Sequence, residues 1–126
     1  MSTDPSQQPP EAADAGPSQD DRNLAMLAHA SGMVPFIGLG VAAVLYNTKK
    51  DASPFVVEHI KEALNFELTL TAFDFVALLV IIVWSPIGIL LWAPILIAHL
   101  GLGIMGAMAS AEGKPYRYVV NARFLK

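Results

Sequence analysis

Apolar residues gather into three long runs along this chain, and all but two of the charged residues fall outside them. The runs cover residues 24–46, 63–84 and 86–111. About 20 apolar residues in a helix cross the hydrocarbon core of a bilayer, so each run is long enough to span. None shows the period-two alternation of a half-buried strand. The pattern therefore predicts an all-α integral membrane protein.

The first run is interrupted at its centre, where Gly32, Pro35, Gly38 and Gly40 fall close together. Proline removes one helical hydrogen bond and its ring clashes with the preceding turn. Two paths follow. The run is one kinked span, or it is two half-length helices forming a re-entrant pair whose exposed backbone other helices must cover. The helix count is accordingly three or four, and the side on which the N-terminus lies stays open.

A polar turn at residues 47–53 leads to Ser53-Pro54, a helix start with serine as N-cap and proline at the first helical position. Ser85-Pro86 repeats that signal. The short link at residues 84–88 predicts an antiparallel helical hairpin, with a bend at Pro94 in its second arm. Trp84 at the tip suits a membrane–water interface.

Composition sharpens this picture. The 126 residues fit one domain, 54% are hydrophobic and 15% are charged. Soluble domains carry about 25% charge, so much of this surface is not designed to face water. Residues 1–23 hold Asp4, Glu11, Asp14, Asp20 and Asp21 against Arg22 alone, amid Pro, Gln and Ser. That composition predicts a disordered acidic tail. It lacks the basic start and early apolar core of a secretory signal. The absence of cysteine excludes disulfides, thiolate metal sites and cysteine nucleophiles. No basic field or binding motif points to nucleic acid.

Cations near the membrane ends set the orientation. Lys49, Lys50 and Lys61 flank the second run, Lys114, Arg117, Arg123 and Lys126 follow the third, and residues 84–88 have none. The basic C-terminus, residues 112–126, is expected in the cytoplasm of a bacterial inner-membrane protein, with Tyr116 and Tyr118 as interfacial anchors.

Between residues 63 and 111 the only formal charges are Glu67 and Asp74. An intramembrane carboxylate costs at least about 2.5–3.5 kcal/mol to insert and requires a reason. Glu67, Thr71 and Asp74 recur at i, i+4 and i+7, on one helical face, with Asn65 and Thr69 nearby. His99 in the third run is their natural partner. The cluster is either interhelical glue or a proton or cation path. His29, His59 and His99 lie in different segments without ligand spacing, so no metal or other cofactor is expected. Gly101, Gly103 and Gly106 read as a helix-packing face. Gly103, Ala107 and Ala111 follow small-xxx-small spacing, which serves contacts within the chain or in a homo-oligomer.

Three separated stretches, in order, resemble a family of small bacterial membrane proteins, the domain of unknown function 4870. They are LAMLAHASG at residues 24–32, KKDASPFVVEHIKEALNFELT at residues 49–69 and EGKPYRYV at residues 112–119. The resemblance covers residues 24–126. That family is similar in turn to the twenty-kilodalton subunit of the chloroplast inner-envelope import translocon. This implies a helical membrane fold and, for the plant relative, a place in a protein-conducting complex. His29, His59, Glu62 and Asn65 match the family pattern, with structural or docking roles. An amide often stands where this chain has Glu67, and Asp74 lies outside the pattern.

The residues favour a non-enzymatic subunit or accessory factor of a membrane assembly, partnered by lipid and by other subunits or copies of itself. The alternative is an oligomeric channel or a proton- or cation-coupled transporter using Glu67, Asp74 and His99. No catalytic constellation supports an intramembrane enzyme.

Overall fold

A computed structural model describes residues 16–126, and those residues form four helices and no strand. They are α1 (Gln19–Ser31), α2 (Ile37–Thr48), α3 (Pro54–Val83) and α4 (Ser85–Ala111). Helix α1 begins inside the acidic leader rather than after it. The Ser18 hydroxyl accepts the Asp21 amide at 3.1 Å, and Asp20 and Asp21 place negative charge on the first turn, where the helix dipole favours it. The expectation of disorder for the leader otherwise falls on residues 1–15, outside the described residues.

Helix α1 stops at Gly32. Pro35 has no amide to continue the ladder, and Phe36 turns the chain with φ +66°, in the left-handed region that side chains other than glycine's rarely adopt. Helix α2 then returns alongside α1. Leu24 near the start of α1 and Leu45 near the end of α2 belong to one apolar cluster with Val56, Ile60 and Ala63 from the first turns of α3. The broken first run is thus a pair of half-length helices folded back on each other. At 13 and 12 residues they are about 20 Å and 18 Å long, each too short to cross a bilayer.

Ser53 caps α3 as expected, its hydroxyl accepting the Val56 amide at 3.4 Å. The second start differs. Ser85 is already helical and caps nothing, and the extended Trp84 alone separates α3 from α4. Their contacts step backwards along α3 as they advance along α4, from Ile81 against Gly88 through Asp74 with Trp92 to His59 with Ser110. The two helices are antiparallel along this contact line, and α4 continues as one helix through Pro94.

Helix α3 is the centre of the molecule. From Ile60 to Leu70 only Lys61 and Leu68 escape full burial, because α1, α2, α4 and the C-terminal segment all lie against this stretch. Beyond it, α3 and α4 expose Phe73, Phe75, Leu79, Ile82, Ile97 and Leu100 among other large apolar side chains. Both helices are long and apolar enough to cross a membrane, and only 33% and 17% of their apolar windows are buried. A core helix of a soluble protein would be mostly buried.

Residues 112–126 are not a loose interfacial tail. Gly113, at φ +73°, ends α4, and the chain folds back as a strap along α3. Tyr118 is buried and stacks flat on Phe66, with ring centroids 3.7 Å apart.

Two glycines on α4 test this packing. A Cβ on Gly88 would meet the backbone of Ile81, which cannot give way locally, whereas Gly101 faces open space. Gly88→Ala is expected to destabilise by about 1–3 kcal/mol through overpacking. Gly101→Ala should gain about 0.5–1 kcal/mol of helix propensity. Reversible unfolding in detergent measures both.

Candidate functional site

Asp74 of α3 and His99 of α4 are both fully buried, and the His99 Nε2 lies 2.9 Å from the Asp74 Oδ2. Two neighbours fix how protons are arranged. His99 Nδ1 is 2.8 Å from the Gly32 carbonyl, which only accepts, so Nδ1 carries a hydrogen. The indole N–H of Trp92 donates to the Asp74 Oδ1 at 2.9 Å. One proton is left for the contact between Asp74 and His99. It sits on the carboxyl or on Nε2, and the pair has no net charge in either case. That neutrality lets a carboxyl and an imidazole share a dry interior at modest cost.

Glu67 stands two turns earlier on the same face of α3. Its side chain is 1% exposed, its Oε1 is 3.8 Å from His99 Nδ1, and neither oxygen has a hydrogen-bond partner among the described residues. The carboxyl lies against the backbone of the α1–α2 turn. A Cβ at Gly32 would collide with it, and one at Gly38 would come within 2.7 Å of Oε2. The structure therefore brings Glu67, Asp74 and His99 together. The Thr71 hydroxyl shares their face but bonds to none of them. Trp92 and the Gly32 carbonyl are the parts that sequence reasoning missed. Trp92 precedes His99 by seven residues, so it shares its face, and a tryptophan away from the helix ends needs an acceptor for its N–H.

A second buried network joins α1, α3 and the strap. His59 Nε2 is 3.0 Å from the Lys114 carbonyl and must donate to it. For neutral rings, each further hydrogen then follows. His59 Nδ1 accepts from His29 Nε2 at 2.9 Å, which leaves His29 Nδ1 to accept the Tyr118 hydroxyl at 2.7 Å. Burial, followed by the nearby Tyr116, Glu67 and Glu62, pushes the Tyr118 hydroxyl well above the usual phenol value, so it stays a donor. The facing lone pairs of His29 and His59 are used within this chain. Among the described residues no three His, Cys, Asp or Glu side chains are grouped to hold a metal ion.

The other polar side of α3 holds the strap. Glu62 Oε1 accepts the Tyr118 amide at 2.7 Å and the Asn121 side chain at 2.9 Å. The Asn65 amide pairs with Leu125 in both directions, at 2.8 and 2.7 Å, and the Thr69 hydroxyl accepts the Ala122 amide at 3.0 Å. All of His29, His59, Glu62 and Asn65 thus bond to residues 112–126.

On α4 the close approach to α1 runs through Gly103 and Gly106. Gly103 faces Met33 and the His29 carbonyl, and Gly106 faces the His29 ring. Ser110 continues this buried line. Ala107 is half-buried and Ala111 exposed, so the small-residue line expected through them leaves the α1 contact after Gly103.

Tyr118→Phe isolates one link. The stack on Phe66 survives and only the His29 Nδ1 loses its donor, a loss expected to cost about 1–2 kcal/mol. A matching fall in detergent unfolding stability is the readout.

No curated protein and no solved structure matches this chain. The sequence profile of the magnetosome magnetite crystal formation protein family, MamF/MmsF, matches residues 20–125, from the first turn of α1 to the penultimate residue of the strap. The comparisons give no support to the resemblance to the domain of unknown function 4870 or to the translocon subunit. With all four helices and the strap inside the match except Gln19 and Lys126, the chain belongs to the magnetosome magnetite crystal formation protein family.

Proposed function

We propose that this protein is a non-enzymatic, multi-pass accessory factor of magnetite crystal formation, embedded in the magnetosome membrane. The observation that carries this is the segregation of its surfaces. The outward faces of α3 and α4 are apolar along the spanning windows, while Asp74, His99 and Glu67 are turned inward. Such an exterior is stable only in lipid or against other apolar subunits.

In this reading α3 and α4 cross the bilayer and α1–α2 enters and leaves on one side. The N-terminus, the Lys49–Lys50 turn and the strap then share the side of the basic residues, which is cytoplasmic by the positive-inside rule. The Asp74–His99 pair serves as a structural clasp on the Gly32 carbonyl, because irregular backbone inside a membrane survives only where protein covers its polar groups. The outward faces remain available to partner subunits or to further copies of the chain.

The unpartnered Glu67 carboxyl, 3.8 Å from His99, favours a second reading as a proton- or cation-coupled path.

Asp74→Asn separates the two. Asparagine reproduces the protonated carboxyl: Oδ1 accepts from Trp92 and Nδ2 donates to His99 Nε2, so stability should change by less than about 1 kcal/mol. In a magnetite-forming host lacking the wild-type copy, the accessory reading expects normal crystal number and size from this variant. Loss of crystals with the variant inserted at wild-type level would instead support proton exchange at the pair.

Topology is tested by labelling single cysteines in this cysteine-free chain. Gln19→Cys, Asn47→Cys and Arg117→Cys should react from one side of sealed vesicles and Ser85→Cys from the other. Reaction of Gln19→Cys on the Ser85→Cys side would mean that α1–α2 crosses the membrane, and the re-entrant topology would fall.

A further inference from the structure

A cleft of about 570 Å³ opens between the first three turns of α3 and the strap. Lys61, Arg117, Arg123 and Lys126 line it, opposed by Glu58 and Glu62. Both acids are engaged locally. Glu58 lies 3.6 Å from Lys61, and Glu62 Oε1 takes the Tyr118 and Asn121 donors and the Arg123 guanidinium at 3.4 Å. Among the described residues neither Arg117 nor Lys126 has an ion-pair partner, so two exposed cations remain beside the cleft. Phe55, Tyr116 and Leu125 supply its apolar wall.

Depth identifies the ligand class. Counting about 20 residues back along α3 from Trp84 puts the near edge of the hydrocarbon at about residue 64. The α3 residues lining the cleft run from Pro54 to Asn65, so it sits at headgroup level with its deep end at the acyl boundary. The strap beside it exposes Val119, Val120 and Phe124, which suit that boundary. We propose that this cleft binds the phosphate headgroup of an anionic phospholipid, with Arg117 and Lys126 on the phosphate and Phe55, Tyr116 and Leu125 against the glycerol and upper acyl region. A basic pocket at the cytoplasmic interface is suited to such a headgroup. This inference rests on the membrane reading above.

The test uses the full chain in neutral detergent, with native mass spectrometry of phosphatidylglycerol and of phosphatidylcholine bearing the same acyl chains. Phosphatidylglycerol should be retained over phosphatidylcholine. Arg117→Gln combined with Lys126→Gln should weaken its retention by about tenfold or more. Lys49→Gln combined with Lys50→Gln removes the same charge outside the cleft and should leave retention unchanged. Equal retention of both lipids, an equal loss in the Lys49/Lys50 control, or displacement by millimolar inorganic phosphate would each overturn the lipid site. Far-UV circular dichroism confirms that the variants remain helical. Wild-type protein washed from phosphatidylcholine vesicles by alkaline carbonate would sink the membrane reading itself. Stable insertion without headgroup preference would sink only this proposal.

Discussion

A backbone carbonyl in the interior of this bundle has nowhere to turn except to another part of the chain. The turn after α1 leaves such a group at Gly32, and His99 answers it from α4 while Asp74 on α3 holds the other side of the same ring. Three helices are tied through one imidazole. The surrounding features follow from that tie. Glycine is required at position 38 because a Cβ there would run into the Gly32 backbone, and a Cβ at position 32 would displace the Glu67 carboxyl. Trp92 is required because Asp74 has a second oxygen to satisfy. The half-length helices are tied back through the bond from their turn to His99 of α4, which Asp74 of α3 holds in turn.

A different device works at the opposite end of α3. Histidines on α1 and α3 pass one hydrogen-bond direction from Tyr118 to the Lys114 carbonyl, while Glu62, Asn65 and Thr69 grip the following strap. Both ends of that relay lie in residues 112–126. The polar residues of α3 therefore divide by face: Glu67 and Asp74 serve the helix turn, and Glu62, Asn65 and Thr69 serve the strap. Family membership covers both devices, since the matched region includes every residue that forms them.

Much of this architecture was legible in the sequence because it is written in local chemistry. Pro35 with its flanking glycines marked the break in the first run, Ser53-Pro54 marked the start of α3, and the i, i+4, i+7 spacing put Glu67 on the face of Asp74. The Asp74–His99 contact aside, pairings between distant segments were not legible. Tyr118 reads as an interfacial anchor by its neighbours Lys114 and Arg117, yet Phe66 offers it a flat buried surface. Ala107 and Ala111 satisfy a spacing rule, but α1 lies over Gly103 and Gly106, where the missing side chain leaves room for the His29 ring. The choice between a kinked span and a folded-back pair required knowing where Leu24 and Leu45 meet. The acidic leader was read by composition alone, which hid the Ser18 cap.

The strap also imposes an order on biogenesis. His29 finds its hydroxyl partner 89 residues later in the chain, and the Gly32 carbonyl finds its imidazole 67 residues later. A nascent α1–α2 pair leaving the ribosome has neither, and contacts of such separation are the slow ones to form. The N-terminal half therefore cannot complete these hydrogen bonds before α4 and Tyr118 have been made. Removing residues 115–126 would leave the same four helices without the strap bonds that tie α1 to α3.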